Sequence, residues 1–133
     1  IVASAICAII VENHRALTLA HRLGNGCHNA LTHIQHAQNE PDCPALPMQE
    51  LKDRIIYAND SFVAMCVTEI WESVDSTLKC VNLAKDYCDY LDAHVIRPKD
   101  NATWGKHYRR AASCIDQIYD QLYECSIKEY SLF

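Results

Sequence analysis

Glycine and proline are scarce in this 133-residue chain, which has three of the first and four of the second. Sandwiches and small barrels depend on tight turns rich in both, so their shortage favours long regular segments. Between Met48 and Arg97 neither occurs. Basic charge is also short, with twelve Lys and Arg against seventeen Asp and Glu and a net charge of −5. General nucleic-acid binding needs surplus positive surface to neutralise phosphates, and docking on anionic lipid needs a basic cluster, so neither is expected. No CxxC pair, GxSxG, HExxH, phosphate-binding loop or dinucleotide fingerprint is present. Zinc ribbons, thioredoxin-type redox sites and the common hydrolase and nucleotide chemistries are therefore left without their residues. The apolar run at 1–11 is too short for a membrane span and is followed by Glu12 and Arg15.

What is present is helical periodicity. Val63, Val67, Ile70, Val74, Thr77, Val81, Ala84, Cys88, Leu91 and Val95 alternate in steps of four and three, which keeps one face of a helix turned to a partner. This predicts a long central helix over about 61–96. Leu51, Ile55, Ala58 and Phe62 form a separate upstream stripe out of phase with it, and Asn59-Asp60-Ser61 can serve as N-caps, so the break is expected there. A second break at 73–77 stays open. Pro98 ends the central helix. The final helix, about 101–128, carries Trp104, Tyr108, Ala111, Ile115, Ile118, Leu122 and Cys125 at the same spacing. Upstream, helices are expected over about 2–23 and 27–38, parted by Gly24-Asn25-Gly26, and a proline-rich loop over 39–47. The expectation is one all-α domain over 1–133, a disulfide-stabilised bundle of about five helices, with the central and C-terminal helices antiparallel.

Eight cysteines, at 7, 27, 43, 66, 80, 88, 114 and 125, suggest disulfides and an extracellular, secreted protein. Facing positions of an antiparallel hairpin have numbers with a constant total. Cys88 with Cys114 gives 202 and Cys80 with Cys125 gives 205, which predicts these two bridges. The same reasoning about a turn at Asn25 pairs Cys7 with Cys43 and leaves Cys27 for Cys66. The sequons at Asn59 and Asn101 fit glycosylation in the same compartment.

Candidate chemistry is sparse. Five of the seven histidines are His14, His21, His28, His33 and His36. Only His33 and His36 are one turn apart, and no carboxylate at helical spacing completes a metal site. A joint pH response of several histidines is the better expectation. No catalytic residues, cofactor or metal are expected. Against the acidic total, Arg97, Lys99, Lys106, Arg109 and Arg110 gather five of the twelve basic residues around Trp104 and Tyr108. Aromatic residues with Arg are enriched in binding hot spots. The function expected is therefore a secreted, non-enzymatic effector that engages an extracellular protein, inhibitor- or cytokine-like, through this corner. The alternative is an extracellular carrier of an apolar small molecule, with Ile10, Leu17, Phe62, Trp71 and Tyr119 lining the pocket. Insect odorant-binding proteins are similar in size, acidity and helicity, but their hallmark pair of cysteines with three residues between them is missing here, so no membership follows.

Overall fold

The computed structural model describes the backbone of residues 2–68, 74–96 and 102–131, and the side chains of 17–67, 74–96 and 102–127. Four α-helices make up almost all of it: α1 (Val2–Gln38), α2 (Ala45–Thr68), α3 (Val74–Leu91) and α4 (Thr103–Ser131). A π-helical turn, Asp92–Ile96, extends α3. Helix α1 packs on α2, α2 on α3, α3 on α4 and α4 back on α1, and this last seam is the most extensive. The result is a closed ring of helices, each antiparallel to the next. Among the described residues no helix is long and apolar enough to cross a membrane.

The core is drawn evenly from the four helices. Leu23, Ile34, Met48, Leu51, Ile55, Phe62, Met65, Val81, Leu91, Trp104, Tyr108, Ile115 and Leu122 are buried. The α4 stripe behaves as its spacing requires, with Trp104 to Leu122 buried and Cys125 half-buried. On the α1–α2 loop, Pro47 falls in the first turn of α2, where its missing N–H costs no intrahelical bond, so the helix starts earlier than the expected loop allows.

The expected break at Gly24-Asn25-Gly26 does not occur, and α1 runs through it. A Cβ on Gly26 would lie 2.8 Å from Ile118 Cγ1 of α4. Glycine there admits the close approach of two helices instead of ending one. The break near Asn59 is also absent. Ser61 Oγ donates to the Tyr57 carbonyl, 3.1 Å away and one turn back, so its hydroxyl stays inside α2 rather than capping a new helix. The second candidate is where α3 starts, at Val74; residues 69–73 lie outside the described ones. The supposed central helix over 61–96 is thus two helices. Its stripe is buried from Val74 to Leu91, whereas Val63 and Val67 are 52% and 78% exposed. Upstream, the stripe of Leu51, Ile55, Ala58 and Phe62 supplies the core instead.

The expected disulfides are corrected as well. Cys27, Cys43, Cys66, Cys80, Cys88, Cys114 and Cys125 are all free thiols. The antiparallel register of α3 and α4 does hold: Tyr108 meets Cys88, Lys85 lies over Tyr119 and Ser126 meets Asp75. What fails is the angle around the helix. Tyr119 and Asp116 turn to α3, whereas His107 meets His36 of α1 and Ile118 meets Gly26 of α1. Cys114 is seven residues after His107, and Cys125 seven after Ile118, so both share the side facing α1. Cys80 lies 3.9 Å from Ser61 of α2, and Cys88 lies against Tyr108 of α4. The members of each expected pair therefore sit on different seams.

For the other two pairs the axial level is wrong. Gln38 meets Gln49, and Gly24 faces Asn59, which puts Cys27 level with about residue 57 of α2. Cys66 is then about 13 Å further along the axis, beyond the ~7 Å reach of a disulfide. The Cys7 side chain lies outside those described. The hairpin that would bring it to Cys43 is absent, since the unbroken backbone of α1 rises about 46 Å between Cys7 and Gln38.

Candidate functional site

All four chain segments near the α1–α2 loop and the α3–α4 connection meet at one end of the bundle. This end carries a trough lined by apolar and tyrosine side chains. Leu46, Pro47, Glu50, Tyr87, Tyr90 and Val95 enclose about 480 Å³ between α2 and α3. A second hollow of about 450 Å³ shares Leu46 and continues past Ala45, Gln49, Cys43 and Gln38. Leu46 is 70% exposed and Tyr90 52%.

The wall of the trough is ordered by polar contacts. The Tyr87 hydroxyl donates to Glu50 Oε2 at 2.6 Å, and the Arg54 guanidinium lies 4.7 Å from the Tyr87 ring centroid. Burial, reinforced by the bond to Glu50, pushes the Tyr87 phenol up to about 12. Tyr90 stacks on Tyr87 at 5.9 Å and meets the His94 ring at 4.9 Å. The π-helical turn lets Val95 face this trough while Asp92 and Ile96 line another hollow, about 460 Å³, against α4. Tyr108, Arg109, Ala112, Ser113 and Asp116 complete that second wall. Tyr108 donates to the Cys88 carbonyl at 2.9 Å. Burial, then the carboxylates of Asp89, Asp120 and Asp92, hold the Asp116 carboxyl above its usual range, with Lys85 opposing.

A histidine seam lies at the same end, between α1 and α4. The rings of His36 and His107 stack with centroids 5.3 Å apart. His107 Nε2 is 3.9 Å from Glu40 Oε1 in the loop after α1. Burial, then the charges of Arg110, His36 and His107, hold His33 below its usual range. Among the described residues no group of three or more His, Cys, Asp or Glu is arranged to hold a metal ion.

Of the residues expected at the basic corner, five lie among the described residues. Lys106, Arg109 and Arg110 are exposed. Trp104 and Tyr108 are 1% and 0% exposed, so the corner's aromatic members are core residues, and Arg97 and Lys99 lie outside the described residues. Of the expected carrier pocket, Ile10 and Trp71 fall outside the described side chains. Phe62 is buried, Leu17 is half-buried, and Tyr119 sits under the Lys85 ammonium; none of them lines these three hollows. Asn59 stands in the interior of α2 with its Oδ1 towards Gly24, and Asn101 lies outside the described residues. The residues sequence reasoning missed are Leu46, Tyr87, Tyr90 and Val95. Their one signal is the i, i+3 pair of tyrosines on the flank of the α3 stripe.

Compared with known proteins, the chain matches no family model, no curated protein and no solved structure.

Proposed function

We propose that this protein is a non-enzymatic binding module that engages another macromolecule through the trough at the α2–α3 end. One observation carries the reading: large apolar and tyrosine side chains stand exposed around a hollow whose wall is held by Glu50 and Arg54. Tyrosine offers large contact area with little side-chain entropy to lose, and exposed apolar grooves of this kind mark recognition sites. The three hollows open to solvent at the bundle surface, and the described core is filled by its own side chains, including Trp104, Tyr108 and Phe62. This favours surface recognition over carriage of a small molecule inside the bundle.

The test is selection of a displayed random-peptide library on the wild-type protein, followed by binding to the double variant L46S/Y90A. Peptides that enrich on the wild type and lose tenfold or more in affinity for the variant support the trough. Peptides that bind both proteins equally refute it. Native mass spectrometry separates the carrier alternative, because a co-purified small molecule appears as mass lost on denaturation.

For its setting we propose the extracellular space, which the even cysteine count and the two sequons support and the free thiols of the bundle oppose. The denatured mass of protein from its natural source decides between them. Eight hydrogens missing means four disulfides and an oxidising compartment; none missing means a reducing one.

A further inference from the structure

We infer that the His36–His107 stack is an acid-operated latch on the α1–α4 seam. In the closed state the two imidazoles pack face to face at 5.3 Å, a contact that suits neutral rings and becomes a like-charge contact when both take up protons. Histidine is the side chain that does so just below neutral pH. The groups facing the stack tilt it in one direction. From α1 comes His33, and from α4 comes Arg110, one turn after His107. These add positive charge or the capacity for it. Among the described residues the opposing charge is Glu40 on the loop, 3.9 Å from His107 Nε2.

Acid therefore loads the contact with like charge. Glu40 already lies 3.9 Å from His107 Nε2 in the stacked state, so protonated His107 keeps that partner while protonated His36 is repelled, and α1 and α4 part at this end. His107 and Glu40 are half-buried, at 23% and 33% side-chain exposure, and His36 is exposed, so solvent screens part of the repulsion. His33 adds to the effect. Its protonation is disfavoured in the folded state relative to the unfolded chain, so the unfolded chain binds more protons and stability falls as pH drops through about 6.5.

The experiment is hydrogen exchange by mass spectrometry on the whole chain at pH 7.5 and 5.5, corrected for the intrinsic pH dependence of exchange. Residues 33–38 and 104–110 are expected to lose at least tenfold in protection on acidification, while residues 48–58 of α2 keep theirs. H36F/H107F keeps a ring stack without titrating groups and is expected to abolish the local loss; H107F alone gives the same readout if the double variant does not fold. E40Q keeps an acceptor oxygen but removes the negative charge that offsets the repulsion in the stacked state, and is expected to move the transition to higher pH. Equal protection of the seam at both pH values overturns the latch, and so does an undiminished loss in the phenylalanine variants.

Discussion

Alanine at the two α1 glycines separates a tight helix contact from a loose one. In a helix interior Gly→Ala gains about 1 kcal/mol from backbone entropy and propensity. At Gly24 the new methyl meets, among the described residues, only Asn59 Oδ1, at 3.8 Å, an ordinary contact. The gain is retained there, about 0.5–1 kcal/mol. At Gly26 it lands 2.8 Å from Ile118 Cγ1 and 3.2 Å from Cδ1. Cγ1 is an inner atom of a buried side chain, so relief requires a new rotamer or a wider α1–α4 spacing, at about 1–3 kcal/mol. The net effect at Gly26 is a loss near 1 kcal/mol. For a domain of this size 1 kcal/mol is about 3–4 °C in Tm. G24A should therefore raise the Tm by about 2–4 °C, and G26A should lower it by a similar amount. Scanning calorimetry at one pH measures both. Repeating G26A on an I118A background should turn it stabilising, because the obstructing atoms are gone. If G24A and G26A stabilise equally on the wild-type background, the close approach is wrong, and so is the reason given for α1 passing through its glycines.

Three further outcomes follow from the same structure. Burial pushes the Cys27 and Cys88 thiols up to about 12, so iodoacetamide at pH 8 should leave both unlabelled in the native protein and label them in denaturant, read by peptide mass spectrometry. Labelling of neither in denaturant would mean that they are bridged. Tyr108→Phe removes the bond to the Cys88 carbonyl and should cost about 1 kcal/mol in urea unfolding; no change would mean the bond adds nothing. Asp116 has its carboxyl held above the usual range, so the folded state binds protons more readily than the unfolded one and loses stability as pH rises through the acid range. D116N should raise the Tm at pH 7 and lose that advantage towards pH 4.

How much of this was legible in the sequence depends on whether a residue's role is set along its own helix or by a neighbour. The α4 stripe could be read because six buried residues from Trp104 to Leu122 repeat a single period. Antiparallel pairing of α3 with α4 was legible from the short connection around Pro98, which folds the chain back on itself. Gly26 of α1 was not, since its use depends on Ile118, 92 residues away in the chain. Val63 and Val67 continue the α3 pattern in sequence, yet the break between α2 and α3 frees their helix to turn them outward. Cap residues at 59–61 misled because Ser61 satisfies its hydroxyl on the turn before it. The cysteine totals give axial level only; the seam faced by each thiol depends on rotation about the helix axis. Of the candidate site, the basic residues were visible as composition but not the burial of Trp104 and Tyr108. The trough arises only when the first turn of α2 meets the end of α3, so Leu46 in a proline-rich stretch carried no sign of it.

The ring of helices also has a kinetic consequence. Three of its seams join helices adjacent in the chain and close over short connections, whereas α1 and α4 meet across most of the sequence. Loop-closure entropy opposes such a contact until the others exist. The α1–α4 seam is then the last to form on folding and the first to open, with little of it present in the transition state. Damage there should appear in the unfolding limb of a chevron plot and hardly in the folding limb. G26A and acidification should both speed unfolding while leaving the refolding rate nearly unchanged.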